Sequence, residues 1–526
     1  MFLPCPPTDR EKYLYVHQGK VFLYSFGIIS TSLLLIGGFL FSVHNVEFIW
    51  YLPVVILLGF YLAISYIVGA FSKPFKLIRH ARKVNKNRDY QPSVDVYLPC
   101  ASEHMDILYN TYKYVAELRW PNLNVYVLDD SGRVEVKEAA HWYTFHYISR
   151  PNRGELKKSG NMRYAFPRTN GEFILILDAD FCPRPDFLSE TLPYFLEPTV
   201  AIVQTPQFFR VESNMSWIQR GAGSIQELFY RMIQVNRNHY GASICVGTCA
   251  VYRRAALEPF GGTYPIEHSE DVHTGFNLLK HGWKVVYIPI NLSAGSCPDH
   301  ISSFFMQQLR WCSGSTSLFL NKELFWKTKL TIMQRLCFLS GMLYYQTTAL
   351  SIFMNPLPGL LVLWFHPEKL FWTNMLFTIP SFLFGVLHLK LWNKLPYGLF
   401  AVRARQVSYY AHLFAITDKI MGKTKPWIPS GDNKLTKSSW TFIKFRRFFI
   451  FWNLLVTGAT VGGVVVHGGM IRHYDLFPYI IINAFYMILN FSCLLGQGAT
   501  NETTGSTSLH AVCDRIWRRL SRHPRK

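Results

Sequence analysis

Six apolar runs, each long enough to cross a bilayer, frame this chain in pairs. Residues 21–43 and 46–71 form the first pair, joined only by His44 and Asn45. A bilayer's hydrocarbon core takes about 20 apolar residues in helical form, so both runs read as spans and the pair as a hairpin. Residues 336–365 and 370–392 form a second pair, and 448–466 and 474–495 a third. Pro356-Leu-Pro358 falls within the third run, so that span is expected to bend or to end early. The first run is too long for the apolar core of a cleavable signal, and a second follows at once.

Charge sets the expected sidedness. The chain carries a net charge of +21, concentrated beside spans in KPFKLIRHARKVNKNR at 73–88 and RIWRRLSRHPRK at 515–526. Basic residues next to spans stay on the cytosolic side and attract anionic lipid. No zinc-finger or RRM signature accompanies the charge, so nucleic acid is not an expected partner. The links 366–369 and 467–475 are short and weakly charged, which suits the outer side. The layout expected is a cytosolic N-terminus (1–20), two spans (21–72), a soluble domain (93–320), interfacial helices with two spans (321–392), a cytosolic segment (393–440), two spans (441–499) and a basic cytosolic tail (500–526). The ten cysteines include no CxxC pair, and only Cys245 and Cys249 lie close together. Neither a zinc site nor a disulfide framework is expected.

Residues 93–320 differ in character from the spans. Short β-rich runs at 94–98, 125–128, 173–177, 200–203 and 285–288 alternate with helix-like stretches at 107–118 and 215–236. That alternation predicts an α/β Rossmann-like domain. The apolar run 173–177 ends directly in Asp178-Ala-Asp180, and 125–128 ends in Asp129-Asp130. Carboxylates at the carboxyl ends of buried strands stand where open α/β sheets bind ligands. Two carboxylates spaced i, i+2 suit one Mg²⁺ or Mn²⁺ shared with substrate phosphates, although Asp-rich turns and caps look the same. In SED, at 269–271, Asp271 suits a general base, while Ser269 with the two acids also suits a helix N-cap. Gln307, Arg310 and Trp311 fall on a predicted amphipathic helix, 301–320. Arginine can neutralise a leaving diphosphate and tryptophan can stack on a sugar ring. A membrane-surface helix would carry the same residues.

In their order, VLDDSG, DAD, SED and QQLRW, with paired spans before and after, these motifs resemble those of the processive family 2 glycosyltransferases, the cellulose synthase and hyaluronan synthase group. The resemblance covers roughly 20–500. It extends to Lys158-Ser-Gly-Asn161, to Gln204-Thr-Pro-Gln207 and to Val246-Gly-Thr248 with Val251-Tyr-Arg-Arg254. Phe414-Ala-Ile-Thr-Asp-Lys419 resembles the gating loop of cellulose synthases. The departures are Ser269 for threonine, Ile416 for valine and Ser159 for alanine. No cyclic-dinucleotide domain and no zinc RING is expected, hence no activation by that messenger.

The resemblance implies a GT-A catalytic domain and an inverting polymerase of a UDP-sugar, UDP-glucose into a β-glucan, in the plasma membrane. It implies that Asp129 or Asp130 holds the uridine. Asp178 and Asp180 take ribose and a divalent metal, with Asp180 the better candidate ligand. Lys158 and Arg310 neutralise diphosphate. Asp271, with Glu270 beside it, deprotonates the acceptor. Gln307 and Trp311 hold the growing polysaccharide, and Thr417 and Lys419 close over the nucleotide. The spans form an export channel that Tyr344, Tyr345 and Trp392 are candidates to line, though packing or lipid contact explains such aromatics equally. Still open are a hyaluronan- or chitin-type donor, a single-addition enzyme acting on a lipid carrier, and a non-catalytic scaffold.

Overall fold

Strands rich in valine and isoleucine on both faces must be covered on both faces, and the segment after the first two spans has that composition. The computed structural model describes residues 3–320, 330–423 and 437–495. Its strands are β1 (Val94–Cys100), β2 (Leu123–Asp129), β3 (His146–Ser149), β4 (Phe173–Ile176), β5 (Cys182–Pro183), β6 (Val200–Gln204), β7 (Phe208–Phe209), β8 (Ala250–Arg253), β9 (Lys284–Tyr287) and β10 (Ser293–Gly295). Seven form one sheet in the order β3-β2-β1-β4-β8-β6-β9, and β5-β10-β7 form a small second sheet.

β1 runs parallel to β2, from Val94 opposite Leu123 to Cys100 opposite Asp129, and parallel to β4 on its other side. β8 runs antiparallel to both β4 and β6. The carboxyl ends of β1, β2 and β4 therefore meet along one edge. Successive residues on a strand face opposite ways. Phe173, Leu175 and Leu177 accordingly enter one core, and Ile174 and Ile176 the other. A buried ion pair ties the opposite edge. Arg254 Nη2 donates to Asp95 Oδ2 at 2.8 Å, and the Gly171 N–H donates to the same oxygen at 2.6 Å. Arg254 also donates to the Gly171 and Phe166 carbonyls.

Among the described residues, six helices are long and apolar enough to cross a membrane: Lys20–His44, Val46–Ala70, Ile332–Phe365, Trp372–Trp392, Trp440–Met470 and His473–Cys493. The chain is thus a multi-pass membrane protein with an α/β domain between its second and third spans. The third span breaks where proline demands it. Ile332–Met354 ends, and Leu357–Phe365 restarts with Pro358 in its first turn.

One departure from the sequence reading matters for the site. Within 393–440, residues Phe400–Ile420 form a single helix, and Phe414 to Lys419 make its last turns rather than a loop. The basic residues there suggested a solvent-exposed stretch. Arg403 instead donates to the Ser492 carbonyl and Arg405 to the Gly385 carbonyl, each at a neighbouring span. Ala404, Val407, Tyr410 and Ala411 are fully buried. Residues 424–436 lie outside the described residues, as does the basic tail.

Asp95→Ala would leave Arg254 buried without its counter-charge. Such a loss costs about 3–5 kcal/mol and is expected to lower the thermal midpoint of the detergent-solubilised protein. An unchanged midpoint would remove Asp95 from the sheet's supports.

Candidate active site

Leu177 is the last fully buried residue leaving β4, and the next residues present Asp178 and Asp180 at the strand's carboxyl end. The Asp178 backbone N–H donates to the Thr248 hydroxyl at 2.8 Å, which fixes the turn. Lys158 is brought to this turn from the helix Lys157–Ala165, which is tied beneath β2 by Asn161 donating to the Leu128 carbonyl at 2.7 Å. Its ammonium pairs with Asp178 and donates to the Gly247 carbonyl at 2.8 Å. Burial alone would lower the Lys158 pKa. The fields of Asp178, Glu270 and Asp271 outweigh burial and raise it.

Glu270 and Asp271 begin the helix Glu270–Lys280. Burial raises both carboxyls, Asp271 to about 6 and Glu270 to about 7. Asp271 adds to the rise at Glu270, and Lys158 opposes the rise at both. Asp180 is pushed up to about 7 by burial and by Asp178. Burial draws Arg310 down to about 10, against the fields of Asp178 and Glu270. Asp178, Asp180, Lys158, Glu270, Asp271 and Arg310 thus share one electrostatic neighbourhood, although they lie on four separate stretches of chain.

Ser269 occupies the N-cap position without capping. Its φ of 57° is left-handed, and its side chain bonds to no backbone N–H of the helix. The capping alternative for SED therefore fails, because in that backbone conformation the hydroxyl points elsewhere. It points at the helix Ile301–Leu320, where Gly314 passes so close that a Cβ there would collide with Ser269 Oγ. Arg310, Gln307 and Trp311 sit about one turn or more before that contact, Gln307 and Trp311 half-buried.

Asp129 and Asp130 end up differently. Asp129 accepts from the Ser131 and Gly132 N–H groups, at 2.8 and 2.9 Å, and from the Tyr147 hydroxyl at 2.9 Å. Asp130 takes a two-pronged bond from Arg150, at 2.6 and 2.8 Å, and both side chains are buried. These two carboxylates shape the turn at the end of β2. Thr417 and Lys419 lie at the end of the helix Phe400–Ile420. The Lys419 charge reaches His273, one turn into the helix that Glu270 begins, and adds to burial in lowering its pKa. Trp392 is not a candidate channel residue: it is buried, donates to the Gln18 carbonyl at 2.6 Å and stacks under Arg231. Tyr344 and Tyr345 pack edge-on against His412.

Glu103 belongs to the neighbourhood and was not singled out from the sequence. It lies three residues beyond β1, its Oε2 accepts from the Ala101 N–H at 2.6 Å, and its pKa is raised by burial and by Asp178. The rule that drew attention to Asp129 and Asp178, polar residues just past a strand's carboxyl end, covers it equally. Among the described residues no group of three His, Cys, Asp or Glu is already arranged around a metal position. Asp178 and Asp180 supply two carboxylates close enough to repel one another. That suits Mg²⁺, which takes one or two carboxylates and completes its shell with phosphate and water.

Residues 173–415 match the family model described as glycosyl transferase family group 2. A cellulose synthase catalytic subunit of Pseudomonas fluorescens (strain SBW25) is 31% identical over 356 residues, covering 65% of this chain and 46% of that protein. The cellulose synthase 1 catalytic subunit of Komagataeibacter xylinus is 32% identical over 262 residues, covering 49% of this chain and 35% of that protein. The chain thus spans less than half the length of these curated relatives. A solved mannosyltransferase from Pyrobaculum calidifontis, in complex with GDP-Man and Mn²⁺, aligns over 70% of this chain and 100% of its own at 15% identity, with a TM-score of 0.44. The α/β domain between the spans holds a mixed seven-stranded sheet, and its part from β4 onward is similar to family 2 glycosyltransferases. Over these lengths the chain is similar to cellulose synthase catalytic subunits and to family 2 glycosyltransferases.

Gly247 (φ 78°) passes beneath Asp271, and a Cβ there would stand 3.0 Å from its Oδ2. Gly247→Ala is expected to displace that carboxylate and, under the function proposed below, to lower sugar transfer by about 10²-fold or more, since small misplacements of a reacting group cost that much. Full activity in this variant, measured as nucleotide release, would show that Asp271 needs no fixed position.

Proposed function

We propose that this protein is a processive, inverting glycosyltransferase that polymerises glucose from UDP-glucose into a β-glucan and passes the chain through its own spans. The observation that carries the reading is the gathering of Asp178, Asp180, Glu270 and Asp271 around Lys158 and Arg310 at the strand ends. Acids in excess of cations suit a site that holds a metal–diphosphate pair and also removes a proton.

Asp271 takes the proton of the acceptor hydroxyl as that oxygen attacks the anomeric carbon. The bond from that carbon to the diphosphate oxygen breaks, UDP leaves, and the configuration inverts from α to β. Asp180 and Asp178 would hold Mg²⁺ or Mn²⁺, which would supply positive charge to the diphosphate. Lys158 and Arg310 add two fixed positive charges to the same end. Asp178 already carries the Lys158 ion pair, which leaves Asp180 the better metal ligand. Asp129 and Asp130 form the wall of the nucleoside pocket through the turn they organise. Trp311 stacks the terminal sugar, with Gln307 beside it. Thr417 and Lys419 close the nucleotide side, supported by the reach of Lys419 to the helix that Glu270 begins.

A base serves best when its pKa lies just below the working pH. Asp271, pushed up to about 6, is ionised at neutral pH and protonated below that value. Protonation removes the acceptor of the proton, so kcat/KM is expected to rise with pH through about 6 to 7 and then level off. A profile flat down to pH 5 would remove Asp271 as the base. Asp271→Asn is expected to lower polymer formation by about 10²–10⁴-fold, the usual contribution of a general base, while UDP affinity measured by calorimetry stays near wild type. Loss of UDP binding would assign Asp271 a structural role.

The deciding experiment supplies each UDP-sugar singly, with Mg²⁺ or Mn²⁺, to the purified protein. High-molecular-weight product from UDP-glucose that β-glucanase digests is the expected result. Polymer from UDP-N-acetylglucosamine alone would assign a chitin- or hyaluronan-type donor, and UDP release without polymer would assign single addition.

A further inference from the structure

Lys20 opens the first span, and Ser72 follows the second. Lys20 Nζ donates to the Ser72 carbonyl at 3.0 Å and to its hydroxyl. The Ser72 hydroxyl donates to Asn236 Oδ1 at 2.7 Å, and Asn236 Nδ2 donates to the Tyr24 hydroxyl at 2.5 Å. Every partner in this network is neutral. An ammonium has three donors, and the described residues accept from Lys20 only at the Ser72 carbonyl and hydroxyl. A half-buried cation held only by neutral groups keeps a charge that no neighbour balances, and an anion beside it would be stabilised. Around it the charge has one sign. Lys73 is the next residue after Ser72, and the pKa of His239 is lowered by burial and by the fields of Lys73 and Lys20.

The adjoining helix Leu77–Lys86 continues the pattern. Its inner face is fastened to the catalytic domain: His80 Nε2 meets Glu190 at 2.5 Å, and His80 Nδ1 meets the Tyr194 hydroxyl at 2.9 Å. Its outward side exposes Lys76 just before it, then Arg79, Arg82 and Lys86. None of these cations has an ion-pair partner among the described residues. Phe71 and Ile78, 73% and 69% exposed, stand among them. Exposed apolar side chains interleaved with unpaired cations, at the level where two spans end, match the boundary between acyl chains and headgroups. A soluble polyanion would gain nothing from Phe71 and Ile78.

We propose that Lys20, Lys73 and the outward cations of the helix Leu77–Lys86 bind the phosphate headgroup of an anionic phospholipid. The lipid supplies the counter-charge the protein lacks there. Through His80 and Glu190 it also holds the catalytic domain against the bilayer.

The test is lipid retention by the full-length protein, read by native mass spectrometry after equilibration with mixed phosphatidylglycerol and phosphatidylcholine micelles. Wild type is expected to retain phosphatidylglycerol in preference. Each cation near a headgroup is worth about fivefold in binding, so Lys20→Gln with Lys73→Gln should lower that retention by about 25-fold. Arg79→Gln with Arg82→Gln should lower it similarly, and these exposed positions leave the packing of the spans untouched. Lys113→Gln, exposed on the catalytic domain, should change nothing. Equal retention of the two lipids by wild type, or an unchanged preference in both double variants, would overturn the proposal. So would displacement by inorganic phosphate, which would point to a soluble anion.

Discussion

Lys158 carries its ammonium into a knot of carboxylates that would otherwise repel one another, and the rest of the site is arranged around that placement. Asp178 pairs with it directly, and Glu270 and Asp271 feel it from the facing helix. Its attachment to the Gly247 carbonyl binds the loop that passes beneath Asp271. One side chain thereby links the Asp178 turn to the loop beneath Asp271. The Lys158 charge also opposes the rise in the Asp271 pKa, so the same group that assembles the site favours the ionised form of that carboxyl. The helix that delivers Lys158 depends on the turn after β2, because Arg150 binds Asp130 and also donates to the carbonyls of Glu155 and Lys157 just before Lys158. Asp130 therefore contributes to the site at one remove, by holding the approach to Lys158.

The α/β domain is mounted on the spans through two buried helices rather than tethered to them. Ile301–Leu320 touches Ser269 through Gly314 at one end of the site. Its Cys312 thiol donates to the His412 carbonyl of Phe400–Ile420, and His412 bonds to Thr348 of the third span at 2.8 Å. Arg403 of the same helix grips the last span through the Ser492 carbonyl. The third and last spans are thus joined through packed side chains to the helix that contacts Ser269.

Much of this was readable from the residues alone, and the failures have physical causes. The spans and the strands with unbroken apolar runs were legible because burial on both faces leaves a strong signature. β3 and β8 were not: His146-Tyr-Ile-Ser149 is a half-exposed edge strand, and Ala250-Val-Tyr-Arg253 is short and ends in arginine. The helix Ile301–Leu320 was read with its observed bounds. The helix Phe400–Ile420 was missed because Arg403 and Arg405 look like solvent-seeking charges, whereas each satisfies a carbonyl of a neighbouring span. At the site, the strand-end rule located Asp178 and Asp180, while Glu103 was overlooked because it stands in a turn with no second acid beside it. No pattern in the sequence reveals that Asp130 is matched to Arg150, since that pairing is made only when β2 and β3 lie side by side.

The serine that replaces threonine in the SED motif fits the backbone of this chain. Ser269 has φ 57° and ψ 40°, a left-handed conformation that is an outlier for β-branched residues. A threonine there would carry its extra methyl into that strained geometry. It would also crowd a contact that is already close, since even a single added carbon on Gly314 would overlap Ser269 Cβ. Serine keeps a hydroxyl at the position and leaves Asp271 at the same place on the following helix, with less steric conflict on either side. The substitution and Gly314 are therefore two halves of one fit between the acidic motif and the helix that carries Arg310 and Trp311.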